Sequence, residues 1–313
     1  MVNENEVPYD DKGRPVKNAR ASNTIFQPTI RVSTVSRLLE VRSERMNEED
    51  PTMAILYRNS EVLALGHNVG VNWEGGKEVW TDHLPSYEIP TKKQDSSLNE
   101  CIPTMESLSN ENTIDDALDT LKKLLDKNED WILVAERNLM NDLKKGVIDP
   151  NNPALKKAVL THIETARKSL SRMREGVQRI RTDPLVRESF ILANRAIRRS
   201  QEEPQVLGRQ PGDFKWRPFQ IAFQLLNLNG LLSTEPDDDF RDEREIVDLA
   251  WFPTGGGKTE AYLLLIAFVM ALRRIQGARN GVQWFGVDVF TRYTLRLLTI
   301  QQFRRALGVI TAM

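Results

Sequence analysis

Cysteine is almost missing from this chain: Cys101 is the single one in 313 residues, so no intrachain disulfide can form. The core must hold by burial alone, and a reducing cytoplasm is the expected compartment. The three histidines, His67, His83 and His162, stand far apart and lack cysteine or carboxylate at ligand spacing, which excludes a metal site built on them. Apolar runs are short. The longest, residues 261–272, is about half of the ~20 residues that span a bilayer, and is expected as a buried helix. The first residues have no apolar signal-type segment, and no Gly-x-Ser-x-Gly elbow or other nucleophile arrangement occurs. Charge of one sign is lacking too. A formal net charge of -1 gives no global attraction to nucleic acid or membrane, so any such partner has to be argued from local charge.

What is present suffices for about two domains, with 40% hydrophobic and 28% charged residues. Residues 1–24 read as a polar, mobile tail, 25–205 as an accessory domain, and 206–313 as a second domain. Between residues 52 and 90 the β-prone runs MAILYR, EVLALG and HNVGVNW, separated by turn residues, predict a small antiparallel meander. Thr113-Ile-Asp-Asp116 has the form of a capping-box variant that opens an amphipathic helix.

From Leu155 through Val159, Ile163, Ala166, Leu170, Met173 and Val177 to Ile180, apolar residues recur at alternating steps of four and three. That spacing predicts one long helix, broken at Asp183-Pro184. Between residues 153 and 200, twelve lysines and arginines stand against four carboxylates, a local excess of +8. The excess is able to attract a phosphate backbone; the alternative is a solvated helical hairpin whose charges pair with acidic neighbours such as the 235–245 segment. No aromatic residue is interleaved with these arginines before Phe190, which argues against base stacking along the helix.

The stretch WFPTGGGKTEAY at 251–262 carries the chemistry. Residues 246–252 predict a hydrophobic strand, and a strand feeding a glycine loop and a long helix is the setting of a phosphate-binding loop. Gly255, Gly256 and Gly257 have no Cβ, so the backbone can curl and aim N–H groups at phosphate oxygens, with Thr254 at the loop's entrance. Lys258 would place its charge between the β- and γ-phosphates of ATP, and the Thr259 hydroxyl would hold Mg²⁺. These two are the candidate catalytic residues. Glu260 would add a carboxylate behind the metal ligand. Asp242-Glu243-Arg244-Glu245 imitates an acidic catalytic box, but it precedes the loop and follows no hydrophobic strand.

Pro253-Thr254-Gly-Gly-Gly-Lys-Thr259 resembles motif I of superfamily 2 helicases, with Phe252 where the strict pattern has a small residue. Upstream, Arg217-Pro218-Phe219-Gln220 resembles the element whose glutamine contacts adenine. Downstream, after an expected strand at 283–290, Arg296, Leu298 and Gln301 reproduce the R-x-L-x-x-Q spacing of motif Ia. The wording of 214–313 is most similar to the large helicase of DISARM-type bacterial anti-phage systems. This resemblance implies an α/β fold: an incomplete RecA-like P-loop domain preceded by a mixed α+β, largely helical accessory domain. It implies ATP and Mg²⁺ as cofactors, held through Arg217, Gln220 and residues 254–260. DNA would be contacted through its phosphate backbone by Arg292 or Arg296, two registers being possible, with Thr291 and Thr294 as hydroxyl donors. A partner protein of the same system is implied as well.

Helicase chemistry also requires a D-E-x-[HD] box on a later strand and an arginine from a second lobe, and neither follows the loop within these residues. The expectation is an amino-terminal part of a helicase, ending after motif Ia, that binds ATP without turning it over. Two other readings are a non-motor, nucleotide-dependent DNA-binding or scaffold subunit using residues 153–200, and a small-molecule P-loop kinase. The second leaves the R-x-L-x-x-Q element without a role.

Overall fold

The computed structural model describes residues 12, 28–38, 50–59, 62–84, 95–202, 214–232, 241–249, 256–281, 286–292 and 296–313. The chain forms two compact units, one of Met1–Thr91 with Gly146–Ala158, the other of Lys92–Lys145 with Val159–Met313.

In the first unit, strands β1 (Arg31–Ser33), β2 (Gly70–Glu74) and β3 (Glu78–Asp82) make an antiparallel sheet in the order β1-β3-β2. Arg31 faces Trp80 and Gly70 faces Asp82 across the two ladders. The Arg31 guanidinium lies 5.1 Å from the Trp80 ring centre and donates to Glu78 at 2.8 Å. That hydrogen bond holds the Glu78 carboxyl below its ordinary pKa. The sheet corrects the expected meander in two places. Residues of MAILYR form helix α1 (Pro51–Leu56) instead of a strand, because Asp50 caps it by accepting from the N–H groups of Thr52 and Met53, with Pro51 opening the first turn. The missing strand is supplied by Arg31–Ser33, and EVLALG forms none among its described residues.

The second unit is helical among the described residues. It comprises α2 (Met105–Leu108), α3 (Ile114–Lys144), most of α4 (Pro153–Thr182), α5 (Pro184–Glu202), α6 (Pro218–Leu232), α7 (Arg241–Arg244), α8 (Lys258–Asn280) and α9 (Arg296–Ala312). The predicted stripe on α4 is the buried one: Leu155, Val159, Ile163, Leu170, Met173, Val177 and Ile180 are all buried. Asp183 ends α4 and starts α5 by accepting from the N–H groups of Leu185 and Val186. Helix α3 begins where expected, but Thr113 does not cap it. Its hydroxyl donates to the carbonyl of Ser107 at 3.0 Å, which leaves no oxygen aimed at the first turn.

One apolar cluster runs from Cys101 to Val309 and joins α2, α3, α4, α5, α6, α8 and α9. It therefore crosses 205/206, where the sequence suggested a domain boundary. Trp216 is the link. Fully buried, it donates from Nε1 to Asn194 Oδ1 at 2.9 Å, while Asn194 donates to the carbonyl of Phe190. Gly176 lets α4 and α6 touch backbone to backbone, since a Cβ there would stand 2.6 Å from the Leu225 carbonyl oxygen. Helix α8 is long and apolar enough to cross a membrane by length and composition. In this unit Ala261, Leu264, Ala267, Phe268 and Leu272 bury one side of it.

The described parts of the two expected strands, residues 246–249 and 286–290, pair with no other strand. Val247, Leu249, Val287 and Phe290 are exposed. The parallel sheet of a RecA-like domain, in which such residues are covered on both faces, is absent among the described residues.

Candidate nucleotide site

The site is assembled by what fixes α6 ahead of it. Met105 N–H donates to the Phe214 carbonyl at 2.7 Å and Lys215 Nζ to the Asn99 carbonyl at 3.1 Å, which lays the approach to Trp216 along α2. Pro218 then starts α6, so Arg217 and Gln220 lie at its first turn. The Gln220 amide is engaged at both ends: Oε1 accepts from Arg217 N–H at 2.8 Å, and Nε2 donates to the Gly257 carbonyl at 2.7 Å. Arg217 Nη1 donates to the Gly256 carbonyl at 2.8 Å. Two expected nucleotide contacts are thus bonded to the glycine turn itself. A base contact by Gln220 would require one of these bonds to be exchanged.

Gly257 caps α8 in the left-handed region, at φ 84°, ψ 27°. A side chain there would be strained, and its Cβ would lie 2.8 Å from Gln220 Nε2. Among the described residues no side chain caps α8, whose leading N–H groups form the positive end of a 23-residue helix. Lys258, Thr259 and Glu260 occupy its first turn, all half-buried. Phe223 and Tyr262 hold α6 and α8 together edge to face, with ring centres 5.7 Å apart. Thr254 and Gly255 lie outside the described residues.

Glu260 introduces a contact that the sequence did not announce. Its Oε1 accepts from Arg305 of α9, while its Oε2 is buried without a hydrogen bond. Glu260 and Arg305 are forty-five residues apart, with no local pattern relating them. Thr291 and Arg292 are exposed, on a segment that Arg273 anchors by donating to Asp288 at 2.8 Å. Thr294 and the side chain of Arg296 lie outside the described residues. Gln301 is exposed on α9.

Much of the basic stretch is paired with carboxylates. Arg172 is nearly enclosed and donates to Glu243, to both oxygens of Asp248 and to the Leu226 carbonyl. The Asp248 hydrogen bonds raise its already high pKa further, against the cost of burial. Arg174 pairs with Asp126 and Glu129, Arg181 with Asp119, and Arg187 with Glu111 and Asp115. The acidic imitation box is accounted for in the same way, since Glu243 binds Arg172 and accepts from Asn229.

What these residues present is a glycine turn, pinned from behind, at the head of a long uncapped helix that carries lysine and threonine in its first turn. Such an end receives an anion. No protein-family model matches the chain. The chain is similar to DISARM protein DrmA of Bacillus paralicheniformis, with 29% identity over 297 residues, covering 86% of this chain and 25% of that protein. The likeness therefore extends well beyond residues 214–313. The chain spans about a quarter of the length of this curated relative.

Proposed function

We propose that this chain is the ATP-binding part of an ATP-dependent DNA helicase or translocase, acting in the bacterial cytoplasm in a DISARM-like anti-phage defence with a partner protein of that system. The observation that carries the reading is the Gly257 turn. Its left-handed backbone, its two tethers from Arg217 and Gln220 and the uncapped first turn of α8 fit a polyphosphate. The similarity to DISARM protein DrmA supports the defence setting.

In this reading the α8 N–H groups and Lys258 hold the phosphates, Thr259 holds Mg²⁺, and Glu260, steadied by Arg305, stands behind that threonine. ATP with Mg²⁺ supplies the phosphoryl chemistry that drives movement on DNA. Arg292 and Arg296, with Thr291 and Thr294, are the contacts to the strand's phosphates. The exposed position of Arg292 and Thr291 suits that role. No D-E-x-[HD] box follows the loop, so binding without turnover is the activity expected of these 313 residues. Titration of the chain with a fluorescent ATP analogue tests this. Saturable, Mg²⁺-dependent binding that Lys258→Ala abolishes is expected; binding unaffected by Lys258→Ala would sink the assignment. Robust DNA-stimulated turnover by the 313 residues, abolished by Lys258→Ala, would overturn the claim of binding alone.

A further inference from the structure

Resting on the nucleotide reading above, we infer that Glu260, held by Arg305, makes the glycine turn select the magnesium complex of a nucleoside triphosphate over its metal-free form. The Glu260 carboxylate is divided between two surroundings: Oε1 accepts from Arg305 of α9, whereas Oε2 is buried without a hydrogen bond. Oε2 lies against the turn, since a Cβ built on Gly257 would stand 3.4 Å from it and 2.8 Å from Gln220 Nε2. Arg305 is itself set by packing. Val309, one turn further along α9 and on the same face, is buried in the apolar cluster.

A carboxylate oxygen beside a phosphate cradle opposes bare phosphates. Both are acceptors and both are negative, so with no donor between them they repel. Magnesium reverses that effect. It dehydrates reluctantly and keeps several waters, which are donors, and a buried acceptor with no partner gains by taking one. Glu260 follows Thr259, the residue proposed to hold the ion, in the first turn of α8. The unbonded Oε2 thus fits a hydrated cation and disfavours its absence. Arg305 acts through Glu260: by engaging Oε1 it fixes the direction of Oε2, which makes it a positioning residue.

The test titrates the 313-residue chain with a fluorescent ATP analogue, once in EDTA and once in excess Mg²⁺, and reads both affinities. Glu260→Gln keeps the shape of the side chain and removes its charge. It should move the two affinities in opposite directions, about threefold tighter without metal and about tenfold weaker with it. A loosened fold would weaken both, and loss of a negative charge alone would strengthen both. Any result in which the two do not move in opposite directions overturns the inference. Arg305→Gln should weaken binding with Mg²⁺ about fivefold, and Arg305→Lys should restore most of that loss. Added to Glu260→Gln, Arg305→Gln should have little further effect, since it acts through the carboxylate. A full further loss in the double variant would show Arg305 acting on its own and would overturn its positioning role. An unaltered chain that binds the analogue in neither condition overturns the nucleotide reading and this inference with it. Binding whose two affinities fail to diverge in Glu260→Gln leaves that reading standing and removes only the selection by Glu260.

Discussion

The helical body around Trp216 and the turn around Gly257 are joined through Arg217 and Gln220 and use their polar groups differently. In the body, several seams are closed by polar groups bonded to the chain, Trp216 to Asn194, Asn194 to Phe190, and Arg172 to three acceptors, while the Gln224 amide and Asn229 Oδ1 of α6 are buried there without a hydrogen bond. At the turn Arg217 and Gln220 are bonded to the glycines, and the first turn of α8 is less fully bonded. Among the described residues no side chain caps α8, and Glu260 Oε2 in its first turn is buried without a hydrogen bond. Unbonded buried groups cost stability wherever they lie; what sets the turn apart is that one of them, on Glu260, stands in the first turn of a helix with no side-chain cap among the described residues.

The contrast fails if the body proves as tolerant as the turn, and substitution of Trp216 is the severest trial. Trp216→Ala empties a fully buried site and orphans Asn194 Oδ1. A loss of about 4 kcal/mol in urea unfolding is expected. Arg172→Leu comes next. It leaves Glu243 and Asp248 facing a partly buried seam without their cation, for an expected cost of about 2 kcal/mol, reduced from the fully buried case because water still reaches the pair. A cost near zero for either change would mean that the body's bonds are incidental.

The body was also the part most legible in the sequence. The four-three spacing from Leu155 to Ile180 yields the buried face of α4 directly, and Asp183-Pro184 marks its end, because helix periodicity and proline geometry are local. The closing of the charges was not legible in its particulars. Arg172 meets Asp248 across seventy-six positions and Arg187 meets Asp115 across seventy-two. A sequence shows how many charges there are, and only the fold shows which of them face one another. The same limit explains the strand errors. MAILYR has strand-forming residues, but one aspartate before Pro51 was enough to start a helix. At the turn, the glycines, Lys258 and Thr259 stood out at once, whereas the use of Gln220 to pin the turn and of Arg305 to hold Glu260 rests on contacts at separations of thirty-seven and forty-five residues.

Gly257→Ala sharpens the contrast from the other side. The φ of 84° and the approach to Gln220 Nε2 predict a stability loss of about 1 to 2 kcal/mol, smaller than that of Trp216→Ala, together with a disproportionate loss of ATP-analogue binding as the turn moves. Restored binding in Gly257→Ala would show that the left-handed turn serves only to begin α8.

The smallest effect concerns acid. Arg187 donates to both oxygens of Asp115 at 2.9 and 2.8 Å, and this bond holds the Asp115 carboxyl below its ordinary value of 3.8. The Arg174 hydrogen bond likewise lowers Glu129 from 4.5. With the folded pKa depressed, the unfolded chain binds more protons in this range, so the stabilisation is complete above the ordinary values and is lost as pH falls through them toward the folded ones. The urea midpoint should therefore decline between about pH 5 and pH 3. Arg187→Gln should flatten part of that decline while lowering stability at neutral pH by less than about 1 kcal/mol, since Asp115 is largely exposed and its pair is screened by solvent. An acid profile identical in Arg187→Gln and the unaltered chain would place the sensitivity elsewhere.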